Sequence, residues 1–328
     1  MLSRFLGFRK LLVPLTNLLT IGNFDGIHFG HQKLISKLKS IHESIHNSKS
    51  GPAMLSVLTF EPHPIEVLRP GIEVERLTPP GMKTSILLEC GIDNVFAENF
   101  DLDLAAMSPE NFFHKILIEK YNAHHIVVGE NFKFGKSQAG DVATLQTLGQ
   151  AAGVQIHVVP RLLMDGEPVS SSRIRKALSN GDLPLAERLM GRPHQLLGTV
   201  VHGAKRGSQI GVPTANLKTT SACKKSLVPK SGVYVTRTSV EGPKGLNAAP
   251  SVTNIGVRPT VDPNSSISSI ETHILPDSLN PVGDLYGKMM SVEFLYRIRD
   301  EIRFSSINEL VKQIQSDIEF SRSYLQQI

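Results

Sequence analysis

Two histidines three residues apart, His28 and His31, lie in the stretch Thr20-Ile21-Gly22-Asn23-Phe24-Asp25-Gly26-Ile27-His28-Phe29-Gly30-His31. On the first turn of a helix that spacing points both imidazoles from one face, where together they can meet an anion. The apolar run Leu18 to Ile21 before them reads as a buried strand. After them, Gln32 to His46 reads as a helix, with Leu34, Ile35, Leu38, Ile41 and Ile45 at helical spacing. A strand, a tight turn and a helix start form a site where α/β proteins gather phosphates. The first helical N–H groups have no partner there, and the helix dipole favours negative charge. Gly22, Gly26 and Gly30 allow the backbone to approach a ligand closely. A surface histidine pair or half of a zinc site would use the same residues. Zinc, however, needs further ligands at short fixed spacing, and none follows nearby.

Two more stretches carry chemistry. In Val169-Ser170-Ser171-Ser172-Arg173-Ile174-Arg175 the hydroxyls can cap a helix start, and Arg173 can bind a triphosphate. In Gly211-Val212-Pro213-Thr214-Ala215-Asn216, the Thr214 hydroxyl and Asn216 amide oxygen are hard ligands that Mg²⁺ can share with nucleotide phosphates. Just upstream, Gly203-Ala204-Lys205-Arg206-Gly207 is a basic loop able to cover phosphates. It is not a Walker loop, because no Gly-Lys-Ser/Thr stands at the required spacing.

The elements that must position these groups follow from patterning. Strands are expected at Met54 to Phe60, Asn94 to Ala97, His124 to Gly129 and Val154 to Pro160. Helices are expected at Gly81 to Cys90, Ser108 to Tyr121, Val142 to Ala152 and Leu183 to Leu189. The two prolines of Glu61-Pro62-His63-Pro64 predict a loop. Strands alternating with helices imply a parallel sheet with its ligand at the strands' carboxyl ends, where the motif, the Pro-His-Pro loop and Glu130 to Gly135 all fall. The pattern changes after Met190 to His194. Gln195 to His202, Gly232 to Thr238 and Ser291 to Arg299 alternate and are rich in Val, Tyr and Phe, which predicts a small antiparallel β-barrel. A final helix, Ser306 to Gln327, opens with Ser306 and Glu309 as a capping box. The expected domains are residues 1–190, an α/β parallel-sheet domain, and 191–328, the barrel with its C-terminal helix.

Gly-Asn-Phe-Asp-Gly-Ile-His-Phe-Gly-His resembles the His-x-Gly-His signature of the nucleotidyltransferase superfamily, in the variant of bacterial bifunctional riboflavin kinase/FAD synthetases. Thr-Phe-Glu-Pro-His-Pro at 59–64, Val-Val-Gly-Glu-Asn-Phe-Lys-Phe-Gly at 127–135 and the serine-rich loop at 170–173 resemble that family's further motifs. Pro-Thr-Ala-Asn at 213–216 is similar to the hallmark of its riboflavin kinase domain. Asn254 to Thr260, Glu271-Thr272-His273, Leu285 to Lys288 and Arg299-Asp300-Glu301 follow in family order. The resemblance spans about residues 17 to 325. It implies ATP-dependent phosphorylation of riboflavin to FMN, and adenylylation of FMN to FAD with release of pyrophosphate. It implies catalytic roles for His28, His31, Arg173 and Glu271, the last as general base on the flavin ribityl hydroxyl. ATP or phosphate contacts are implied for Gly22, Asn23, Phe24, Asp25, Gly26, Ser172, Gly203, Lys205 and Arg206. Flavin contacts are implied for Pro62, Asn131, Phe132 and Arg161, and Mg²⁺ at Thr214 and Asn216. The chain departs from the family at Ser208 and Val212, where Arg and Phe are usual. That leaves Lys205 and Arg206 to supply charge and keeps open an enzyme with only one of the two activities.

Composition bounds the rest. The chain has 328 residues, 40% hydrophobic and 20% charged, with 35 basic and 30 acidic residues giving a net charge of +5. That excess suits anionic small substrates. A nucleic-acid-binding barrel would need clustered basic residues with interleaved aromatics, yet the basic residues are scattered and aromatics make up 6% with no Trp. Cys90 and Cys223 form no close pair, compatible with a reducing, cytoplasmic setting. Met1 to Asn23 lacks acidic residues, but Pro14 interrupts it and no small-residue cleavage site is evident, so no targeting segment is expected. No run reaches the length of a membrane span. The expected partners are small molecules alone, with the chain a monomer or weak homo-oligomer.

Overall fold

The near-continuous apolar run of the first strand has to be covered on both faces, and the fold achieves this with a parallel sheet. The structure, a computed structural model, describes residues 16–48, 51–203, 207, 210–219, 226–242, 245–259, 266–275 and 283–328. The Met1–Pro14 segment and Cys223 lie outside the described residues. Two compact units emerge. One comprises residues 1–24, 30–72 and 84–162, and the other residues 25–29, 73–83 and 163–328.

In the first unit, β1 (Thr16–Ile21), β2 (Ala53–Glu61), β3 (Asn94–Asn99), β4 (Ala123–Gly129) and β5 (Gln155–Val159) form a five-stranded parallel sheet in the order β3-β2-β1-β4-β5. Strand order reverses between β1 and β4, so the ligand crevice of such a sheet lies beyond their carboxyl ends. Leu18 and Leu19 of β1 are fully buried, pairing with β2 and β4 on either side. The crossover from β1 to β2 is α1 (Phe29–Asn47), which buries Leu34, Ile35, Leu38 and Ile41. Next come α2 (Pro64–Leu68), α3 (Pro80–Glu89), α4 (Leu102–Ala105) and α5 (Pro109–Asn111), the last continuing as a π-helical stretch over Phe112–Lys120. After β4, α6 (Val142–Ala152) leads into β5.

Two local readings of the sequence change. Pro62-His63-Pro64 is not only a loop, because Pro64 opens α2. His63 caps this helix by accepting the Ile65 N–H at 3.2 Å, and Glu66 accepts the His63 N–H. A proline at a helix's first position gives up an N–H that would have had no partner anyway. The first turn of α1 includes His31 but not His28. Ile27 has φ of 39° and Phe24 has φ of 47°, conformations that cannot begin a right-handed helix, so α1 starts at Phe29 and His28 stands just before it.

The second unit contains the short hairpin β6 (Leu163–Met164) and β7 (Glu167–Pro168), and the helices α7 (Ser171–Asn180) and α8 (Leu183–Met190). It also contains a closed antiparallel barrel of β8 (His194–Val201), β9 (Ala215–Lys218), β10 (Gly232–Val240), β11 (Leu246–Pro259), β12 (Ser266–Ile274) and β13 (Met289–Arg299). Barrel order is β10-β11-β12-β9-β8-β13, which leaves no exposed edge. Its interior holds a chain of fully buried hydroxyls. Thr238 meets Ser251 at 2.7 Å, Ser251 meets Thr236 at 2.8 Å, Thr236 meets Thr253 at 2.9 Å, and Thr253 meets Thr272 at 3.0 Å.

The last helix, α9 (Ile307–Leu325), is capped by Ser306, which accepts the Glu309 N–H. It carries the buried Asp317, whose carboxylate takes a two-pronged guanidinium from Arg299 of β13 at 2.7 to 3.2 Å and the Gln313 amide at 2.9 Å. Ile318 and Ile314 pack beside this pair against Val233, Val252 and Leu275. Truncating one partner of a buried pair leaves the other charged and alone. Asp317→Ala is therefore predicted to destabilise the protein by about 3 kcal/mol, measured by denaturant unfolding. A change below about 0.5 kcal/mol, the range of an ordinary surface substitution, would show that the pair does not hold α9.

Candidate functional sites

The residues of the nucleotide-type motif fall in both units. In the first unit, the Gly22 N–H donates to Leu58 at 3.0 Å, prolonging the β1–β2 ladder. The Asn23 carbonyl accepts the Thr59 hydroxyl at 3.1 Å, and its amide nitrogen lies 3.2 Å from His63 Nε2. Phe24 is fully buried, its ring centroid 4.9 Å from that of His31. The β4 carboxyl end turns at Gly129, with the Phe132 N–H bonded to the Gly129 carbonyl at 3.0 Å. Phe132 and Phe134 stack at 5.5 Å and 15°, and Phe134 packs on Phe112 within the core. Phe132 stays half-buried and Asn131 is exposed. Pro62 is exposed at the end of β2, and Arg161 lies 3.6 Å from Glu130 just past the end of β5.

In the second unit, Asp25 is 3% exposed and both of its oxygens are occupied. They accept the Leu77 N–H at 3.2 Å, the Thr78 N–H at 3.0 Å and the Arg175 guanidinium. Gly26 has φ of 86°, and a Cβ there would stand 2.8 Å from Leu77 Cδ1, so the turn requires glycine. Arg192 donates to the Gly26 carbonyl at 2.7 Å, and Ser171 Oγ donates to the Asp25 carbonyl at 2.8 Å. The start of α7 is thus tied to the motif loop, its N-cap being Ser170, with Ser172 exposed on the first turn. Arg173 reaches the β6–β7 hairpin, donating to the Met164 carbonyl at 2.8 Å and pairing with Glu167 at 3.1 Å.

Burial pushes the His28 imidazole down to about 4, outweighing the nearby Asp25 carboxylate. It is therefore neutral at physiological pH and presents one N–H donor instead of a fixed cation. His194, buried with its Nε2 2.8 Å from the Leu227 carbonyl, is also pushed to about 4 by burial.

The second cluster is built by strand register. Asn254 of β11 lies opposite Glu271 of β12, and Glu271 lies opposite Asn216 of β9. Directly opposed residues share a sheet face. The row Asn254, Glu271, Asn216 is half-buried, whereas the adjacent Ile255, Ile270 and Leu217 point the other way and are buried. Thr214 is half-buried immediately before β9. His273 Nδ1 lies 2.7 Å from the Pro213 carbonyl, fixing the Pro-Thr-Ala-Asn turn against β12. A Cβ on Gly203 would overlap the Asn216 amide, so glycine there leaves room for that side chain. Lys205, Arg206 and Ser208 lie outside the described residues.

The sequence reading quoted Arg175 and Asn254 within motifs but gave them no role, and it missed Thr78 and Arg192. Arg175 had a signal, as the second arginine of Ser-Ser-Arg-Ile-Arg. Thr78 had none, since it meets Asp25 from 53 residues away.

A family model described as FAD synthetase matches residues 14–173, and one described as riboflavin kinase matches residues 190–325. Two relatives carry the name bifunctional riboflavin kinase/FMN adenylyltransferase. That of Escherichia coli K12 is 37% identical, covering 91% of this chain and 90% of its own. That of Bacillus subtilis is 35% identical, covering 92% and 90%. A solved structure from Streptococcus pneumoniae, named Macrolide-efflux Protein, matches with a TM-score of 0.82 at 28% identity over 94% of both chains. Among the described residues, no helix is long and apolar enough to cross a membrane.

His28 and His194 predict an acid limb of stability. An unfolded histidine titrates near 6.5, and these titrate near 4 when folded. Between those values the unfolded chain binds more protons, so stability is full above 6.5 and falls as pH drops toward 4. The loss reaches about 3 kcal/mol per histidine. Urea midpoints from pH 7.5 down to 4.5 should fall through this window, and a flat profile would contradict the buried neutral imidazoles.

Proposed function

The chain belongs to the bifunctional riboflavin kinase/FMN adenylyltransferase family, and on that premise we propose which residues carry each step. It phosphorylates riboflavin to FMN and adenylylates FMN to FAD, with ATP as donor in both reactions. The adenylyltransferase domain is residues 1–190 and the kinase domain 191–328, a division supported by the two family matches at 14–173 and 190–325.

In adenylyl transfer, an FMN phosphate oxygen bonds to the α-phosphorus of ATP while the bond to the β-phosphate oxygen breaks and pyrophosphate leaves. The nucleophile is already ionised, so no strong base is needed and the protein supplies position and charge. Gly22, Asn23, Phe24 and Gly26 shape the loop on which the nucleotide lies. His28 and His31, with Arg173, Ser172 and the first N–H groups of α7, take up charge on the departing pyrophosphate. Asp25 serves by anchoring the loop, because its oxygens are already filled by Leu77, Thr78 and Arg175. Pro62, Asn131, Phe132 and Arg161, at the carboxyl ends of three strands, receive FMN, and the outer face of Phe132 offers a stacking surface to the flavin.

In the kinase step a hydroxyl must lose its proton, and Glu271 is the base that accepts it as the ribityl oxygen bonds to the γ-phosphorus and ADP leaves. The observation that carries this assignment is the row Asn254, Glu271, Asn216, which sets one carboxylate between two amides on adjoining strands. Thr214 and Asn216 are hard oxygen donors fitted to Mg²⁺, which when bound neutralises phosphate charge. Gly203, Lys205 and Arg206 are the residues we assign to contact with the phosphates. The enzyme works in the cytoplasm on free riboflavin, FMN and ATP, as a monomer or weak homo-oligomer.

Separate assays test the division. Glu271→Gln should lower FMN formation from riboflavin by about 100-fold or more, the usual contribution of a general base, and leave FAD formation from FMN unchanged. His31→Ala should do the reverse. Loss of both products in either variant, with folding intact, would contradict the assignment.

A further inference from the structure

We infer that Glu167 and Asp165 occupy Arg173 in the free enzyme as internal stand-ins for the ATP phosphates, which displace them. The inference rests on the proposed contact between Arg173 and the triphosphate. Nearly every donor of this guanidinium is engaged by the β6–β7 hairpin. Nη1 donates to the Met164 carbonyl at 2.8 Å and the Glu167 carbonyl at 3.2 Å. Nε pairs with the Glu167 carboxylate at 3.1 Å, and Nη2 with Asp165 at 3.6 Å. Asp165 is shared with Arg188 of α8.

The burial of the partners is lopsided. The Arg173 side chain is 14% exposed, whereas Glu167 is 70% and Asp165 56% exposed. Such exposed carboxylates sit largely in water and hold an arginine weakly. A triphosphate carries more charge and matches the guanidinium fork at least as well.

The hairpin has little else to fix it. Its ladder is Leu163↔Pro168 and Met164↔Glu167, closed by Asp165 and Gly166, both at positive φ (56° and 79°). A two-stranded ribbon this short is not stable by itself. Its carboxylates therefore act as internal anions. They keep Arg173 extended beside the α7 start, which Ser171 ties to the Asp25 carbonyl, and they leave when phosphate arrives. Because nucleotide must displace them, they weaken ATP binding.

The test is the KM for ATP in FAD formation. Glu167→Gln should lower that KM about threefold to tenfold, the scale of one weak ion pair, with kcat little changed and riboflavin phosphorylation untouched. Asp165→Asn should act in the same direction. Mere structural damage would raise KM. In an Arg173→Gln background Glu167→Gln should have no further effect, whereas an equal drop there would mean general repulsion and overturn the inference. If Arg173→Gln raises KM and Glu167→Gln fails to lower it, the inference alone falls. If Arg173→Gln leaves KM unchanged, the phosphate contact proposed for Arg173 falls, and the inference with it.

Discussion

The motif loop depends on one buried carboxylate. Asp25 sits 3% exposed with two backbone N–H groups and the Arg175 guanidinium on its oxygens. A buried charge is tolerable only when it is paired and hydrogen-bonded, so this arrangement admits little variation. The loop on either side carries Phe24 and Ile27 in left-handed backbone conformations that cost about 1–3 kcal/mol each and persist only where surroundings enforce them. The anchoring of Asp25, the Arg192 donation to the Gly26 carbonyl and the Ser171 donation to the Asp25 carbonyl provide that enforcement. His28 is buried and neutral on the same few residues.

The two reactions are served by different kinds of construction. Adenylyl transfer needs no base, and the residues proposed for it come from loops and helix starts at the carboxyl ends of a parallel sheet, where strand order reverses. The kinase nucleophile is a hydroxyl that must be deprotonated. The base proposed for it, Glu271, stands on a strand, where register sets it between Asn254 and Asn216. Gly203 and His273 then fit the Pro-Thr-Ala-Asn turn against that row, one by leaving space and the other by binding the Pro213 carbonyl. A loop can close over a phosphate, while a ladder fixes a carboxylate, and each suits its step.

The α/β half was legible because its strands are apolar runs and its helices keep a 3.6-residue period. The barrel was legible only as a class. β8, β10 and β13 alternate visibly, but β11 and β12 do not. Ser251, Thr253 and Thr272 point into the barrel, where Ser251 bonds with Thr236 and Thr238 and Thr253 with Thr236 and Thr272, so residues that look polar are interior. Short α2 was hidden by its prolines, though one of them opens it. At the motif, residue types and spacing carried the expected chemistry but not the supports. Nothing near Asp25 in sequence announces Leu77, Thr78 or Arg175. Between Arg173 and Arg175, only tertiary contacts show that one reaches the hairpin and the other the carboxylate.

The most direct test of the anchor is the rate of FAD formation from FMN by Asp25→Asn, with riboflavin phosphorylation by the same preparation as the internal control. Stranding Arg175 opposite a neutral amide should cost about 3 kcal/mol of positioning, a loss of at least about 100-fold in adenylylation, while phosphorylation stays within about twofold. Adenylylation within twofold of the unsubstituted enzyme would contradict the account, since the loop would then hold its shape without the carboxylate.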